Sequence, residues 1–186
     1  MGRLHMLAVA ILSAWIMSTL CMWFAATQSF GTVDRMMKSP APQLAQISKP
    51  LGEESTRIVL RHAASEINRS LFWGYGVLQI VAGVILCLLV WKRKPRSHID
   101  VGVVTTMLIL VVILTAVITP WLVSLGRSID FLPRNPPPTV MPRFWALHGT
   151  FTGLDALKLA AGFILLVRWI VKSKKPESTQ ASLLPR

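Results

Sequence analysis

Residues 101–126 read VGVVTTMLILVVILTAVITPWLVSLG and contain no charged side chain. About 20 apolar residues, rising about 1.5 Å each along a helix, cross the hydrocarbon core of a bilayer. That core offers no water to the backbone, so such a segment forms a helix that satisfies its own hydrogen bonds. The stretch therefore predicts a transmembrane helix, in which Pro120 introduces a kink near the end.

Three further segments have the same apolar character, at residues 6–27, 71–91 and 148–171. The first two contain no charge, whereas the last carries Asp155 and Lys158 and ends on a basic run. Residues 6–27 also suit a signal peptide, but their apolar region is longer than the usual 7–15 residues, which favours an uncleaved helix. We therefore expect an all-α integral membrane four-helix bundle, built from two antiparallel hairpins.

The composition excludes an ordinary soluble protein. Apolar residues make up 53% of the chain and charged residues 15%, whereas soluble domains carry about 25% charged residues. The two cysteines, Cys21 and Cys87, lie in opposite halves of their predicted helices. They provide neither a disulfide framework nor a cysteine-rich metal site.

The net charge of +12 is explained by topology rather than by nucleic-acid binding. Basic residues cluster directly after the second span, over 92–96, and at the end of the fourth span, over 168–175. Short basic segments beside span ends stay in the cytoplasm. This rule places both termini in the cytoplasm and the segments 28–70 and 127–147 outside, with the lipid bilayer as the expected partner.

Aromatic side chains gather near the predicted membrane boundaries. Trp23, Phe72, Tyr75 and Trp145 lie near the outer boundary, and Trp169 lies near the inner one. Rings with a polar edge suit the headgroup region. We interpret these residues as interfacial anchors.

The first outer segment has two parts. Residues 28–50 are polar and contain Pro40, Pro42 and Pro50, so we expect mostly a loop. Residues 51–70 repeat apolar side chains every three or four positions. That period predicts an amphipathic helix on the outer surface that continues into the second span.

Other features outside the spans are simpler. His62 and Glu66 stand four residues apart, a spacing that permits a metal pair but is more often a solvated helix pair, and no metal site is predicted. The second outer segment, 127–147, is rich in proline and is expected to form an extended strap. The polar residues 173–186 are expected to be a disordered cytoplasmic tail.

The approaches to the second and fourth spans resemble each other. LFWGYGVLQIVAGVILCLLVW at 71–91 aligns without gaps with TFTGLDALKLAAGFILLVRWI at 150–170. Apolar segments match by chance, so a duplicated hairpin and coincidence both stay open. A duplication would relate the two hairpins by a pseudo-two-fold axis along the membrane normal. It would also make Gln79 and Lys158 equivalent positions.

The fourth span contains the chemically distinctive side chains. His148, Asp155 and Lys158 lie within it, and together with Gln79 they form the candidate polar intramembrane site. Ionisable groups inside a bilayer are costly and mark functional candidates. Since Asp155 and Lys158 stand three residues apart, a structural ion pair and an ion, proton or ligand site both remain open.

The same span carries a stripe of small residues at four-residue and three-residue spacings. Its members are Gly149, Gly153, Ala156 and Ala160. Small residues let a neighbouring helix approach closely. We predict a packing face here, with the small residues of the first span as its partner.

The sequence lacks the motifs that several classes of enzyme and cofactor site require. No Gly-rich phosphate loop, zinc-protease motif, nucleophile elbow or Cys pair occurs in the sequence. A membrane b-haem needs two intramembrane histidines, and only His148 can lie near a span interior. No cofactor and no catalytic residue are predicted.

The motifs TVDR at 32–35, SEINR at 65–69 and LHGTFTGLDALKL at 147–159 carry a family resemblance. With the layout of four spans, they are similar to a family of small integral membrane proteins defined by a domain of unknown function. The resemblance implies bacterial members, a related eukaryotic multi-pass protein and no established catalytic residues. It also implies the bacterial inner membrane as the location.

Three functions fit these observations. The first is a non-enzymatic subunit or accessory factor that acts through helix packing with a membrane protein partner or with a second copy. The second is a small oligomeric transporter or channel that uses the polar site. The third is a membrane enzyme acting at the outer face through His62, Glu66 or His148.

Overall fold

A computed structural model describes residues 2–132 and 136–173. All regular structure in these two ranges is helical, which confirms the predicted all-α class. The elements are α1 (Arg3–Lys38), α2 (Pro42–Ser48), α3 (Gly52–Lys92), α4 (His98–Ile113), a π-helical segment (Leu114–Ile118), α5 (Thr119–Ile129) and α6 (Met141–Ser173). The predicted tail lies outside the described residues beyond Ser173.

Three helical stretches are long and apolar enough to cross a membrane. They are Arg3–Lys38, Gly52–Lys92 and His98–Ile129, and they contain the first three predicted spans. The fourth predicted span lies within α6, which is not among these three. Its passage through the bilayer stays a prediction.

The expected loop over residues 28–50 is wrong for most of its length. α1 continues without a break to Lys38, and α2 occupies part of the remainder. No proline interrupts α1 before Pro40, and its extension packs against the half of α3 nearer Gly52. This end of the bundle is called outer, and the end where α1 begins and α6 ends is called inner, after the orientation predicted above. Val33 is buried there, and Ser29 Oγ lies 3.1 Å from Asn68 Oδ1. Tertiary packing of this kind outweighs a polar composition.

The predicted continuity between the amphipathic helix and the second span is confirmed, because α3 runs unbroken from Gly52 to Lys92. Gly52 has a φ of 74°, in the left-handed region that glycine adopts without steric cost. This residue lets the chain turn from α2 into α3.

The third span contains a π-helical segment rather than a simple kink. Pro120 has no N–H to donate and lies two residues after the end of this segment. The Thr119 backbone N–H donates to the carbonyl of Leu114, five residues earlier, and the Thr119 hydroxyl donates to the same carbonyl at 2.8 Å. The widened turn thus absorbs the interruption that the proline imposes.

The long helices form a ring around one apolar core. α1 packs against α3 and α6, and α4 packs against the same two helices. The buried apolar side chains of this core include Trp15, Leu86, Met107, Leu165 and Trp169. This arrangement agrees with the predicted bundle of two hairpins.

The two halves of the ring share one register of buried positions. Buried Gly76, Gln79, Gly83, Leu86 and Val90 of α3 correspond, at a constant offset of 79, to buried Asp155, Lys158, Gly162, Leu165 and Trp169 of α6. At a constant offset of 92, buried Ala8, Leu12, Trp15, Thr19 and Met22 of α1 correspond to buried Asp100, Val104, Met107, Val111 and Leu114.

The surroundings of two glycines follow the same correspondence. A Cβ on Gly83 would lie 2.9 Å from Leu108 and 3.0 Å from Trp15. A Cβ on Gly162 would lie 3.3 Å from Ile16 and from Met107. In the correspondence between the halves, Ile16 takes the place of Leu108 and Met107 takes the place of Trp15. The described packing therefore has the pseudo-two-fold form that the duplicated-hairpin hypothesis requires.

Candidate functional site

A charged pair lies in the middle of the bundle. Asp155 and Lys158, one turn apart on α6, are 0% and 1% exposed. Lys158 Nζ lies 2.7 Å from Asp155 Oδ1. Two charges removed from water require close pairing and further hydrogen bonds, because desolvation of each is costly.

Helix α3 supplies the partners of the lysine. Lys158 Nζ donates to Gln79 Oε1 at 2.7 Å and to the Tyr75 hydroxyl at 2.8 Å. With Asp155, these two acceptors use all three hydrogens of the ammonium group. Gln79, which the sequence placed in the site, therefore contacts Lys158 directly.

Helix α1 completes the network. Trp23 Nε1 donates to Asp155 Oδ2 at 2.8 Å, and the Tyr75 hydroxyl lies 3.0 Å from Asp155 Oδ1. Trp15 Nε1 donates to Gln79 Oε1, and Gln79 Nε2 donates to Ser18 Oγ at 2.7 Å. The buried carboxylate and ammonium are thus bonded to side chains of α1, α3 and α6.

The structure places His148 apart from this network. Its ring lies parallel to that of Phe144, with centroids 5.9 Å apart, and meets Trp145 edge-on at 5.8 Å. His148 lines a cavity nearer the outer end of the bundle. Of the four predicted polar-site residues, three come together and His148 does not join them.

Two residues of the network were interpreted as interfacial anchors. Trp23 and Tyr75 instead bind the buried Asp155, because an enclosed carboxylate needs donors. One feature of the sequence indicates that Tyr75 belongs to the polar network. Tyr75 and Gln79 stand four residues apart and therefore share a helix face. Trp169 also has a polar partner, Asp100 Oδ2 at 2.9 Å.

The predicted packing face on α6 is open among the residues that the structure describes. A Cβ on Gly149 or Gly153 would meet nothing within 4 Å. Ala160 is exposed and Ala156 half-buried. The expected contact with the first span is therefore absent among the described residues, and packing of this face against another molecule stays a prediction.

A second polar cluster ties the inner ends of three helices. Asp100 at the start of α4 lies 3.2 Å from Arg168 Nε of α6. His5 at the start of α1 binds Arg93 and lies 2.9 Å from Ser173 Oγ. The cluster holds the first turn of α1 beside the last turn of α6.

A third polar cluster lies at the outer end. Arg69 donates to Glu66 at 2.5 Å and to Asp130 at 2.8 Å, and His62 Nδ1 lies 3.1 Å from Asp130. Burial acts to raise the pKa of Asp130, but hydrogen bonds from Arg69 and His62 outweigh it and hold that pKa below its usual value. His62, Glu66 and Asp130 lie close enough to share a cation. The Arg69 guanidinium binds both carboxylates, and Arg127 Nε lies 3.6 Å from Glu66, so the geometry favours an ion-pair cluster.

An open cavity of about 580 Å³ adjoins this outer cluster. Helices α1, α3, α5 and α6 all contribute to its wall. Phe72 lines its inner end and also lines a separate space of about 10 Å³ beside Asp155. That inner space is about the size of one water molecule. Phe72 and Thr119, which line both spaces, therefore lie between the cavity and the charged pair, and the Phe72 ring meets that of Phe151 at a centroid distance of 5.2 Å.

A comparison with protein families found one relationship. The family model described as a domain of unknown function (DUF4149) matches residues 56–129. This segment contains α4, α5 and most of α3, and it ends before Asp155 and Lys158. No match was found among curated proteins or among solved structures. Over residues 56–129 the chain is thus similar to the DUF4149 family, which confirms the predicted resemblance to membrane proteins defined by a domain of unknown function.

Proposed function

We propose that the protein is a non-enzymatic component of a membrane assembly, a subunit or an accessory factor. One observation carries this proposal: the buried Asp155–Lys158 pair finds all its partners within the chain. The space beside it admits about one water molecule. A charge network of this kind specifies how helices pack, and it presents no reactive group to a substrate.

The open face of α6 supports the same proposal. Small residues at this spacing allow two helix backbones to approach closely in a bilayer. Among the described residues, Gly149 and Gly153 have no neighbour that would prevent such an approach. The partner is then another membrane helix, from a different protein or from a second copy.

Native mass spectrometry of the protein, gently extracted from its own membrane, tests this proposal. We expect a stoichiometric partner or a homo-oligomer that is lost in Gly153→Leu. Gly74→Leu is the matched control, because a Cβ on Gly74 also meets nothing within 4 Å but the residue lies on α3. A bare monomer in the wild-type protein, or equal losses in both variants, would contradict the proposal.

We also propose four membrane passages in the bacterial inner membrane, with both termini cytoplasmic. The basic residues after α3 and at the end of α6 support this orientation. Labelling with a membrane-impermeant maleimide tests it in a variant free of natural cysteines. Lys94→Cys should be protected from outside in intact cells, and Glu54→Cys should react. The reverse pattern would refute the orientation.

A second candidate is a small oligomeric transporter or channel. The cavity that ends at Phe72, directly above the charged pair, favours it. Proton flux into proteoliposomes, followed with an enclosed pH-sensitive dye, should then fall in Asp155→Asn and rise in Phe72→Ala. Wild-type flux no greater than that of empty liposomes would remove proton transport from consideration.

A third candidate is a membrane enzyme acting at the outer face. The carboxylate of Asp130 orients the His62 ring, an arrangement that suits a general base. Any activity found should be lost in His62→Gln. An activity that survives substitution of His62, Glu66 and His148 would eliminate this role for them.

A further inference from the structure

The outer cavity changes in polarity along its length. On α3, the residues that line it are Arg61, Ser65, Asn68, Arg69 and Phe72. They face it at successive turns over about 16 Å of helix. The wall thus passes from a cationic rim to an aromatic floor, where Leu122 and Val123 of α5 add further apolar surface.

Arg61 is the cation at this rim with bonding capacity to spare. Its guanidinium lies 3.7 Å from Asp34 Oδ1 and 5.5 Å from the centre of the Phe30 ring. Within the described ranges, no hydrogen bond uses its five N–H groups, which form a planar fork suited to phosphate and carboxylate oxygens. Arg69 differs, because Glu66 and Asp130 already occupy its donors.

The charge of the lining is positive overall. Arg61 and Arg69 contribute two positive charges, and Asp130 contributes one negative charge. Arg69 and His62 bind that carboxylate, whereas Arg61 has only the Asp34 carboxylate beside it, at 3.7 Å. An anion at the rim therefore finds one guanidinium, that of Arg61, whose N–H groups are not used in hydrogen bonds within the described ranges.

The size and shape of the cavity fit a chain-bearing ligand. A volume of about 580 Å³ lies within the range of about 300–1,000 Å³ that small-molecule sites occupy. Gly126 lies against Arg69 Nη2, and a Cβ there would come within 3.2 Å of it. Arg69 thus packs closely against α5, and the Phe144 ring lies beside the same glycine.

We propose that this cavity binds an anionic phospholipid of the surrounding membrane, with the phosphate at Arg61 and one acyl chain extending towards Phe72. The proposal is independent of the assembly role and of transport. It assigns a ligand class to a site that the buried charge network does not use.

Native mass spectrometry of the full chain in a nonionic detergent tests the proposal. The probes are dioleoyl phosphatidic acid and dioleoyl phosphatidylcholine, which share their chains, and inorganic phosphate, which has none. We expect one phosphatidic acid per protein, bound at least about tenfold more tightly than phosphatidylcholine. Equal affinity for the two lipids, or competition by inorganic phosphate at concentrations comparable to those of the lipid, would overturn it.

Two pairs of variants locate the site. Arg61→Gln should weaken phosphatidic acid binding about tenfold, the effect of losing one charge-assisted hydrogen bond. Arg57→Gln is its matched control, since Arg57 also lies 3.7 Å from Asp34 but does not line the cavity. Equal weakening in both variants would refute the assignment to Arg61.

The second pair tests the chain-binding part. Val123→Trp should fill the cavity and abolish lipid binding, whereas Val112→Trp places the same bulk on an exposed position of α4 and should not. Helical circular dichroism and elution volume confirm that each variant is folded. Undiminished lipid binding in a folded Val123→Trp variant would overturn the proposal, whatever the result for the Arg61 variant.

Discussion

Replacing Lys158 by methionine should destabilise the protein by about 3 kcal/mol. The change keeps an unbranched chain of similar length but removes the ammonium that bonds Asp155, Tyr75 and Gln79. Breaking a buried ion pair by removing one partner costs about 3–5 kcal/mol, because the other charge is left uncompensated. Asp155 keeps Tyr75 and Trp23 as donors, so we expect the lower end of that range.

The double variant separates the charge from the packing. Asp155→Asn with Lys158→Met removes both charges and keeps an acceptor for Trp23. We expect it to cost about 1 kcal/mol, so that the two single changes are coupled by about 2 kcal/mol or more. Lys172→Met, an exposed lysine of the same helix, should change the free energy of unfolding by less than about 0.5 kcal/mol.

Reversible unfolding in mixed micelles with increasing dodecyl sulfate, followed by circular dichroism, measures these differences. The reasoning fails if Lys158→Met is as stable as Lys172→Met. It also fails if the two single effects simply add in the double variant. Either result would mean that the pair contributes nothing to holding α6 against its neighbours.

Three other predictions use the same unfolding assay. Trp23→Phe removes a donor to the buried carboxylate and should cost about 1–3 kcal/mol, whereas Trp121→Phe, at a side chain 65% exposed, should cost little; equal effects would contradict the assigned hydrogen bond. Gly76→Ala places a Cβ 2.6 Å from Thr115 of the π-helical segment and should lower the free energy of unfolding by about 1–3 kcal/mol. Gly74→Ala has open space around the new Cβ and should raise it by up to about 1 kcal/mol. If Gly76→Ala leaves stability unchanged, the tight packing of Gly76 against this segment is refuted. The lowered pKa of Asp130 means that its stabilisation is complete above the ordinary aspartate pKa of about 3.9 and is lost as the pH falls through the lower folded value. The stability difference between wild type and Asp130→Asn should therefore shrink on acidification below about pH 4, and a pH-independent difference would refute this.

The sequence predicts the helical class and the three apolar stretches because these depend on composition over about 20 residues. It predicts the Asp155–Lys158 pair because i,i+3 spacing is a local property of one helix. The extension of α1 to Lys38 was missed, since residues 28–38 are polar. Their helical form depends on the outer half of α3, to which no local signal in 28–38 points.

The partners of the charged pair depend on contacts between helices. Trp23 and Tyr75 have the side chains of interfacial anchors, and only the rotation of α1 and α3 towards α6 turns them to Asp155. The same limit applies to Gly149 and Gly153. Their spacing indicates a packing face, but the helix rotation that leaves that face open within the chain is a property of the whole bundle.

The inner polar cluster has a consequence for connectivity. His5 of α1 and Ser173 of α6 are hydrogen-bonding neighbours, at the same end of the bundle as the turn between α3 and α4. The ring of helices can therefore be opened at residues 94–96 and closed by a short linker between α6 and α1. Such a circular permutant keeps every helix-to-helix contact while α4 becomes the first helix of the chain. The bundle owes its form to side-chain contacts around the ring, and the order in which the chain visits its helices is one solution among several.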